Sequence, residues 1–272
     1  MIVEILGNRP LDTTVIRRGM RRYGHSRIAS GMTAPSRVAH LMTLFVPWSW
    51  FLEFTMLILD GVTLTISPIR IVMNNIDKFF TKDAATFTRS YIEYLHAVLD
   101  RLDLQEIASF IETLLDARKK GTTVFFIGNG GSASTASHFA NDLAIGTNDY
   151  EKPFRVISLA DNVSVLTALG NDYGYEEIFE RQLRVYGKSD DVLVAISASG
   201  NSPNLLKAFE FARTAGIKTV AITAFDGGKL KLMADQGIHV PTEPKEYGPA
   251  EDVHMILDHL VGAYLARYVK HA

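Results

Sequence analysis

The sequence predicts an α/β protein in which a doubly wound, five-stranded parallel sheet is flanked by helices and preceded by N-terminal helices. From residue 122 onward, short runs rich in β-branched and aromatic residues alternate with longer amphipathic stretches. Strands that are joined by helical crossovers lie parallel, with helices on both faces of the sheet. Two polar loops rich in Gly and Ser follow the first and third runs, and in such sheets ligands bind beyond the carboxyl ends of the strands.

Two helices are predicted over 83–120, ahead of the first strand. Apolar residues recur three and four positions apart in both halves of this segment. Asp103 is suited to cap the second helix, and Glu106, three residues later, would complete a capping box. The aromatic helix over 84–102 either packs in the core or forms an interface between subunits.

The remaining elements follow in order along the chain. The predicted strands span 122–127, 154–159, 191–196, 218–223 and 237–241. The predicted helices span 135–145, 162–169, 175–186, 205–215 and 250–269, with a short helix after Asp226-Gly-Gly. Gly216 lies at the C′ position that closes the helix over 205–215.

The composition excludes several classes of protein. The chain has 272 residues, with 28 Lys+Arg against 30 Asp+Glu, and it contains no cysteine. The lack of cysteine excludes disulfide scaffolds, thiolate zinc sites, iron–sulfur clusters and cysteine nucleophiles. A formal net charge of −2 provides no overall attraction to nucleic acid, so we expect no nucleic-acid partner.

The first 72 residues differ in composition from the rest. They contain eight Arg, no Lys and four acidic residues, and an apolar run spans 41–59. A basic flank before an apolar run is the outline of a signal-anchor helix, although Glu53 and Pro47 lie inside this run. We interpret 1–72 as an atypical Arg-rich and apolar extension, either a mis-assigned start or a weak membrane anchor. Residues 73–272 then form the working domain in the cytoplasm, with membrane contact only if 41–59 is a real anchor.

Two loops contain the residues from which a ligand site can be predicted. The first loop (residues 128–134) begins Gly-Asn-Gly-Gly-Ser-Ala, which matches the G-x-G-x-x-A fingerprint of dinucleotide sites, and Asp161 ends the next strand. This pattern alone keeps a NAD-binding unit open. The second loop (residues 197–204) reads Ser-Ala-Ser-Gly-Asn-Ser-Pro-Asn, and serine hydroxyls at a helix N-terminus form an anion site with the free backbone N–H groups. Two such loops in one sheet favour a phosphomonoester that neutral donors hold.

The combination of motifs resembles the SIS (sugar isomerase) domain family, and within it the sedoheptulose 7-phosphate isomerases, also called phosphoheptose isomerases. The resemblance covers about residues 73–272 and leaves 1–72 unmatched. The matching motifs are Gly-Asn-Gly-Gly-Ser at 128–132, His-Phe-Ala at 138–140, Gly-Asn-Asp-x-Gly-Tyr at 170–175, Ile-Ser-x-Ser-Gly-Asn-Ser-Pro-Asn at 196–204, Asp-Gly-Gly-Lys at 226–229, and a final helix with His254 and His259.

The resemblance implies a flavodoxin-like three-layer fold and an aldose–ketose isomerase that acts on a phosphorylated sugar through an enediol. The implied reaction converts sedoheptulose 7-phosphate to D-glycero-D-manno-heptose 7-phosphate, which supplies a heptose for lipopolysaccharide or capsule. The family also implies a homo-oligomer, a tetramer or dimer with active sites between subunits, and no nucleotide cofactor. The alternative is a non-catalytic SIS protein that binds phosphosugars or docks to a partner such as the replication initiator.

The resemblance also implies roles for individual residues. Asp142 and His259 would be the catalytic acid–base pair. The cluster that binds zinc or another divalent metal would consist of His138, Asp142, Glu251 and His259. The substrate would contact phosphate-binding serines and further residues of the loops, namely Ser132, Ser197, Ser199 and Ser202, with Asn129, Gly130, Gly131, Asn171, Asp172, Ala198 and Glu251.

Helical spacing is consistent with this metal site. His138 and Asp142 are four residues apart and share one helix face, and Glu251 and His259 are eight apart and share another. Two imidazoles and two carboxylates suit zinc or a similar divalent ion. From spacing alone each pair is more typical of a solvated helix face, and it is the resemblance that favours a metal site.

The sequence departs from the family pattern near the expected sugar site. Asp142 stands where the family usually has Glu, and Glu251 stands where it usually has Gln. Ala198 replaces a Thr, and Gly248-Pro249 replaces an Asp-Arg pair. The aspartate is one methylene shorter, so we expect its carboxylate to retreat or to need a bridging water. Because the phosphate serines are intact, the sequence specifies the phosphate site more firmly than the choice of sugar.

Overall fold

The computed structural model describes residues 40–44, 54–59, 62–65 and 74–271, and the chain divides into two units, Met1–Val72 and Met73–Ala272. In the first unit three strands form an antiparallel sheet in sequence order, namely β1 (His40–Leu44), β2 (Phe54–Leu59) and β3 (Val62–Thr65).

Strands β1 and β2 overlap the apolar run over 41–59, so the described parts of that run are extended rather than helical. The rest of this run, and most of the proposed extension, lies outside the described residues. Within the described part of the chain, no helix combines the length and the apolar character that crossing a membrane requires.

The second unit is built on the predicted five-stranded parallel sheet. Its strands are β4 (Thr123–Gly128), β5 (Arg155–Ser158), β6 (Val192–Ser197), β7 (Lys218–Ala224) and β8 (Gln236–Val240). Their order in the sheet is β5-β4-β6-β7-β8, and every neighbouring pair is parallel. The order reverses between β4 and β6, the switch point at which doubly wound sheets bind ligands. All six residues of β6 are buried, as a strand covered on both faces requires.

The helices follow the predicted order, but the short first helix was not predicted, the helix predicted over 175–186 begins only at Glu180, and most of the others differ at their ends. They are α1 (Asn75–Phe79), α2 (Ala84–Leu99), α3 (Leu104–Lys120), α4 (Gly131–Asn141), α5 (Val163–Asp172), α6 (Glu180–Tyr186), α7 (Pro203–Thr214), α8 (Gly228–Met233) and α9 (Tyr247–His271). Helix α4 starts four residues earlier than predicted and continues as a π-helical turn, Asp142–Gly146. A 3-10 turn, Tyr175–Glu177, separates α5 from α6.

The sheet separates two hydrophobic cores, because alternate side chains of each strand point to opposite faces. On one face, Phe126 of β4 stacks on Phe139 of α4 with 4.8 Å between the ring centroids, and residues of α3 and α9 join this core. On the other face, Phe125 packs with residues of α6 and α7, including Phe179 and Phe209. The doubly wound three-layer architecture predicted from the sequence is therefore confirmed.

The cap at Asp103 is confirmed, but the capping box is not. Asp103 Oδ1 accepts a hydrogen bond from the backbone N–H of Gln105 over 2.8 Å. The Glu106 carboxylate instead accepts from the backbone N–H of His239 over 2.8 Å. His239 lies on β8, an edge strand whose outer N–H groups need partners, so a tertiary contact replaces the local one.

The aromatic helix α2 packs against the start of α9, as the core interpretation of 84–102 expects. Tyr91 Oη donates to Asp252 Oδ2 over 2.6 Å, and Tyr94 Oη donates to the buried carboxylate of Glu246. Val98 of the same helix is fully buried. Ile92, by contrast, is half-exposed, so part of the helix surface stays free within this chain.

Candidate active site

The first loop joins β4 to α4 by a tight backbone turn. A side chain at Gly128 would place its Cβ 2.5 Å from the backbone oxygen of Ser132, so only glycine fits there. Gly130 has φ +56° and ψ −124°, a conformation that glycine adopts readily and other residues rarely do. Helix α4 therefore begins directly beyond the sheet edge, and Ser132 is buried in its first turn.

The second loop joins β6 to α7, and a hydrogen bond between two of its own residues stabilises it. Ser197 Oγ accepts a hydrogen bond from the backbone N–H of Gly200 over 3.1 Å. Ser202 is the N-cap residue of α7, yet its hydroxyl makes no capping hydrogen bond within the described residues. That hydroxyl is therefore available to a ligand, together with the partly exposed Ser199.

The two loops lie side by side, because β4 and β6 are adjacent and Gly128 pairs in register with Ile196. Each loop leads into a helix N-terminus, where the helix dipole and unpaired N–H groups favour an anion. The hydroxyls of Ser132, Ser197, Ser199 and Ser202 belong to these loops. Buried Ala198 adds a small apolar neighbour rather than a donor. The arrangement suits a phosphomonoester.

A cluster of histidines and carboxylates lies on α4, α9 and the π-helical turn. One ligand atom each of His138, Asp142, Asp258 and His259 lies within 4.8 Å of the others. The Nε2 atom of His138 is 3.6 Å from Asp142 Oδ1, and its Nδ1 atom is 3.7 Å from Asp258 Oδ2. The rings of His138 and His259 meet edge to face, with 5.0 Å between their centroids. The shorter side chain of Asp142 thus reaches the cluster.

Asp258 shows that the cluster fits a divalent cation. Its side chain is fully buried, and neither carboxylate oxygen has a hydrogen-bond partner among the described residues. Burial raises the pKa of Asp258 to about 7, with the charge of Asp142 contributing. A buried carboxylate without partners is unfavourable unless a cation or a proton neutralises it. Two imidazoles with two carboxylates form a ligand set that zinc accepts.

Asp258, rather than the Glu251 that the resemblance implied, is the fourth member of this group of possible ligands. Glu251 instead lies over the first loop, since a Cβ atom on Gly131 would be 2.2 Å from Glu251 Oε2. Burial, followed by the charge of Asp252, raises the pKa of the Glu251 carboxyl. Sequence reasoning missed Asp258, although a signal existed. It interrupts the apolar stripe of α9 that includes Leu257 and Val261.

Two of the remaining predicted residues are exposed, whereas the position of the replaced Asp-Arg pair lies against Tyr91. Asn171 and Asp172 are exposed at the end of α5, and the Asn171 amide donates to Asp172 Oδ1 over 2.8 Å. Gly248, in the first turn of α9, faces Tyr91, because a Cβ there would lie 2.9 Å from the tyrosine hydroxyl. The space for a side chain at the replaced Asp-Arg pair is therefore taken by Tyr91.

The acidic residue that a NAD site needs is already engaged. Asp161 accepts a hydrogen bond from Ser137 Oγ of α4. A dinucleotide site would direct this carboxylate to the ribose hydroxyls. Because this hydrogen bond uses only part of the acceptor capacity of the exposed Asp161 carboxylate, it does not distinguish the two interpretations of the first loop.

His254, one of the motif residues of α9, gives a prediction on stability. It is fully buried, and burial lowers its pKa from 6.5 to about 4. Between these values the unfolded chain binds more protons, so the free energy of unfolding falls as the pH falls. Lowering the pH from 7.5 to 5 should therefore reduce the free energy of unfolding of the wild type by about 2 kcal/mol more than that of His254→Leu. Urea denaturation of both proteins at both pH values measures this, and an equal reduction in the two would contradict the assignment.

Comparisons with known proteins agree with the fold and the loops. Residues 86–224 match the family model of the SIS domain. A phosphoheptose isomerase of Helicobacter pylori (strain P12) is 37% identical over 196 residues, which are 72% of this chain and 98% of that protein. The phosphoheptose isomerase of Clostridium acetobutylicum is 38% identical over 64% of this chain and 88% of its own length.

Solved structures give the same result. A phosphoheptose isomerase from Francisella tularensis superposes with a TM-score of 0.60 at 29% identity, covering 72% of this chain and 100% of that one. A phosphoheptose isomerase from Neisseria gonorrhoeae gives 0.59 at 29% identity, covering 66% and 95%. The motifs, the sheet order and these relatives agree, and the chain belongs to the SIS domain family, in its sugar-phosphate isomerase branch.

Proposed function

We propose that the protein interconverts sedoheptulose 7-phosphate and D-glycero-D-manno-heptose 7-phosphate by aldose–ketose isomerisation. The observation that carries this proposal is the layout of α4, which begins at the first loop, carries His138, and continues into the π-helical turn that carries Asp142. Ser132 and His138 are six residues apart, or about 9 Å along the helix axis at 1.5 Å per residue. A seven-carbon sugar phosphate can span such a distance, with its phosphate at the loops and its carbonyl end at the cluster.

The phosphate group would anchor the substrate. The serine hydroxyls of the two loops and the N-termini of α4 and α7 offer neutral donors to its oxygens. Anchoring one end of a flexible sugar fixes the position of its reactive carbons, and such orientation lowers the barrier of a proton transfer by several kcal/mol. The exposed Asn171 and Asp172 are available to its hydroxyl groups.

Asp142 and His259 would carry out the proton transfers. One of them removes the proton from the carbon next to the carbonyl, the enediol forms, and the other returns a proton to the neighbouring carbon. His138 and Asp258, with Asp142 and His259, would hold a divalent cation such as zinc. When bound, that cation supplies Lewis-acid polarisation of the carbonyl. Glu251, whose pKa is raised, lies beside Gly131 at the N-terminal end of α4, nearer to the phosphate-binding loops than to the cluster.

Three further proposals follow from the family. Every described residue of the site lies in the unit Met73–Ala272, so we propose that this unit carries the activity and that 1–72 is an extension to it. We propose a homo-oligomer, a tetramer or dimer, for which the half-exposed surface of α2 is available. We place the protein in the cytoplasm, where its phosphorylated product would feed the synthesis of a surface polysaccharide.

The direct test is incubation of the full chain with sedoheptulose 7-phosphate, with and without added zinc, followed by NMR of the sugar. We expect conversion by the wild type and a loss of roughly 10²–10⁴-fold in kcat for Asp142→Asn, the range for an acid–base group. Glu210→Gln removes an exposed carboxylate on α7 and serves as the control, with unchanged kcat. No conversion by the wild type under either condition would contradict the proposal, and sugar-phosphate binding without turnover would support the non-catalytic alternative.

A further inference from the structure

Asn129 of the first loop and Asn204 of α7 form a reciprocal amide pair. The Nδ2 atom of Asn129 donates to Asn204 Oδ1 over 2.9 Å, and Asn204 Nδ2 donates to Asn129 Oδ1 over 2.8 Å. Asn204 is 1% exposed, whereas Asn129 is partly accessible. The pair joins the ends of β4 and β6 through side chains, between the two loops of the candidate site.

The orientation of both amides is fixed by the backbone. The N–H of Leu205 donates to Asn204 Oδ1 over 3.0 Å, and a backbone N–H can only donate. The oxygen of Asn204 must therefore face Leu205, and its NH₂ group must face Asn129 Oδ1. Rotating either amide by 180° would set oxygen against oxygen or N–H against N–H, so the pair has one favourable arrangement.

Tyr175 completes the set from a third segment, the 3-10 turn after α5. Its hydroxyl donates to Asn129 Oδ1 over 2.9 Å. The oxygen of Asn129 thus accepts two hydrogen bonds, which is the capacity of a carbonyl group. Within residues 74–271 its Nδ2 atom donates one hydrogen bond, so a second N–H is left for a ligand. Toward a ligand, the side chain of Asn129 can act only as a donor.

We infer that Asn204 and Tyr175 are positioning residues that hold the Asn129 amide in one orientation, so that it presents a single N–H to an oxygen of the bound sugar phosphate. This inference rests on the proposed function, and it assigns roles to two residues outside the predicted site. A donor that is fixed before the substrate arrives does not have to be reoriented during the reaction. The exposed Tyr175 would then influence catalysis without contacting the sugar.

The test is a double-mutant cycle on kcat/KM for sedoheptulose 7-phosphate. Tyr175→Phe keeps the exposed ring and removes only the hydroxyl, so we expect a decrease of roughly fivefold, as for one neutral hydrogen bond. In an Asn129→Ala background, itself lowered by roughly 10²-fold for one lost donor, Tyr175→Phe should have less than about twofold further effect. Asn129→Ser is a second background if Asn129→Ala does not fold.

A second tyrosine near Tyr175 in the chain, Tyr173, provides the control. Tyr173→Phe removes another exposed hydroxyl, keeps the ring beneath the Arg181 guanidinium, and should leave kcat/KM unchanged. A fivefold effect of Tyr175→Phe that persists without the Asn129 amide would overturn the inference, as would no effect in the wild type. An unmutated chain without any turnover would overturn the proposed function, and this inference with it.

Discussion

Replacing Gly200 with alanine is expected to lower kcat/KM for the sugar phosphate by at least roughly 10²-fold, because the second loop would have to move. Gly200 has φ +61°, and a Cβ there would lie 1.9 Å from the backbone oxygen of Gly227. Neither the backbone at Gly200 nor the backbone at Gly227 can move easily, because hydrogen bonds join the two segments. The N–H of Leu230 donates to Gly200 O over 3.0 Å, and the N–H of Lys229 donates to Asn201 Oδ1 over 3.1 Å. Displacing this loop would displace Ser199 and Ser202, which we propose bind the phosphate.

Gly121→Ala provides a matched control for this prediction. Gly121 ends α3 with φ +71°, and a Cβ there would have no atom within 4 Å. It therefore carries the cost of a left-handed alanine, about 1 kcal/mol, without a clash. Urea denaturation and steady-state kinetics of both variants make the comparison. Equal losses of stability and activity in the two variants would show that the contact with Gly227 is unimportant.

Asp258→Asn is expected to abolish metal binding while leaving the metal-free protein equally stable or more stable. The asparagine has the same shape without the charge, and the buried carboxylate has no hydrogen-bond partner to lose within the described residues. A bound cation stabilises the folded protein, by about 2.7 kcal/mol at a hundredfold excess over its Kd. We expect this increase in the wild type on addition of zinc, and less than about a tenth of it in Asp258→Asn.

Glu251→Gln tests whether Glu251 is also a ligand of the metal. Because Glu251 lies against Gly131 and outside the group of four ligands, this variant should retain the stabilisation by zinc. The two unfolding titrations, with metal content measured in parallel, separate the two assignments. Loss of zinc binding in Glu251→Gln together with its retention in Asp258→Asn would show that the metal lies elsewhere.

Local patterns in the sequence were sufficient to predict the fold. The strands are short apolar runs, and their predicted bounds differ from the observed ones by at most one residue, as at Thr123–Gly128 and Lys218–Ala224. Gly216 has the φ of +72° that a helix-closing glycine needs. Asp103 caps α3 because a cap depends on only three or four consecutive residues. Such features depend on near neighbours in the chain, and a single sequence contains that information.

The features that the sequence did not reveal depend on distant contacts. Glu106 meets His239, which is 133 residues away, and the Asn129–Asn204 pair spans 75 residues. The interruption of the apolar stripe of α9 marks Asp258 as unusual, but its place in the ligand cluster depends on how α9 lies along α4. The resemblance to a family correctly indicated His138, Asp142 and His259 as neighbours. In the final helix it indicated Glu251 rather than Asp258, although Asp258 lies between the motif residues His254 and His259.

Isomerisation of sedoheptulose 7-phosphate in D₂O tests the central claim most directly, because an enediol exchanges its mobile proton with solvent. We predict that the wild type yields the aldose with deuterium at the carbon next to the carbonyl, as seen by loss of that proton signal in the NMR spectrum. Asp142→Asn and His259→Ala should slow both conversion and deuterium uptake by roughly 10²–10⁴-fold. An unchanged sugar without deuterium in the presence of the zinc-supplemented wild type would contradict the account.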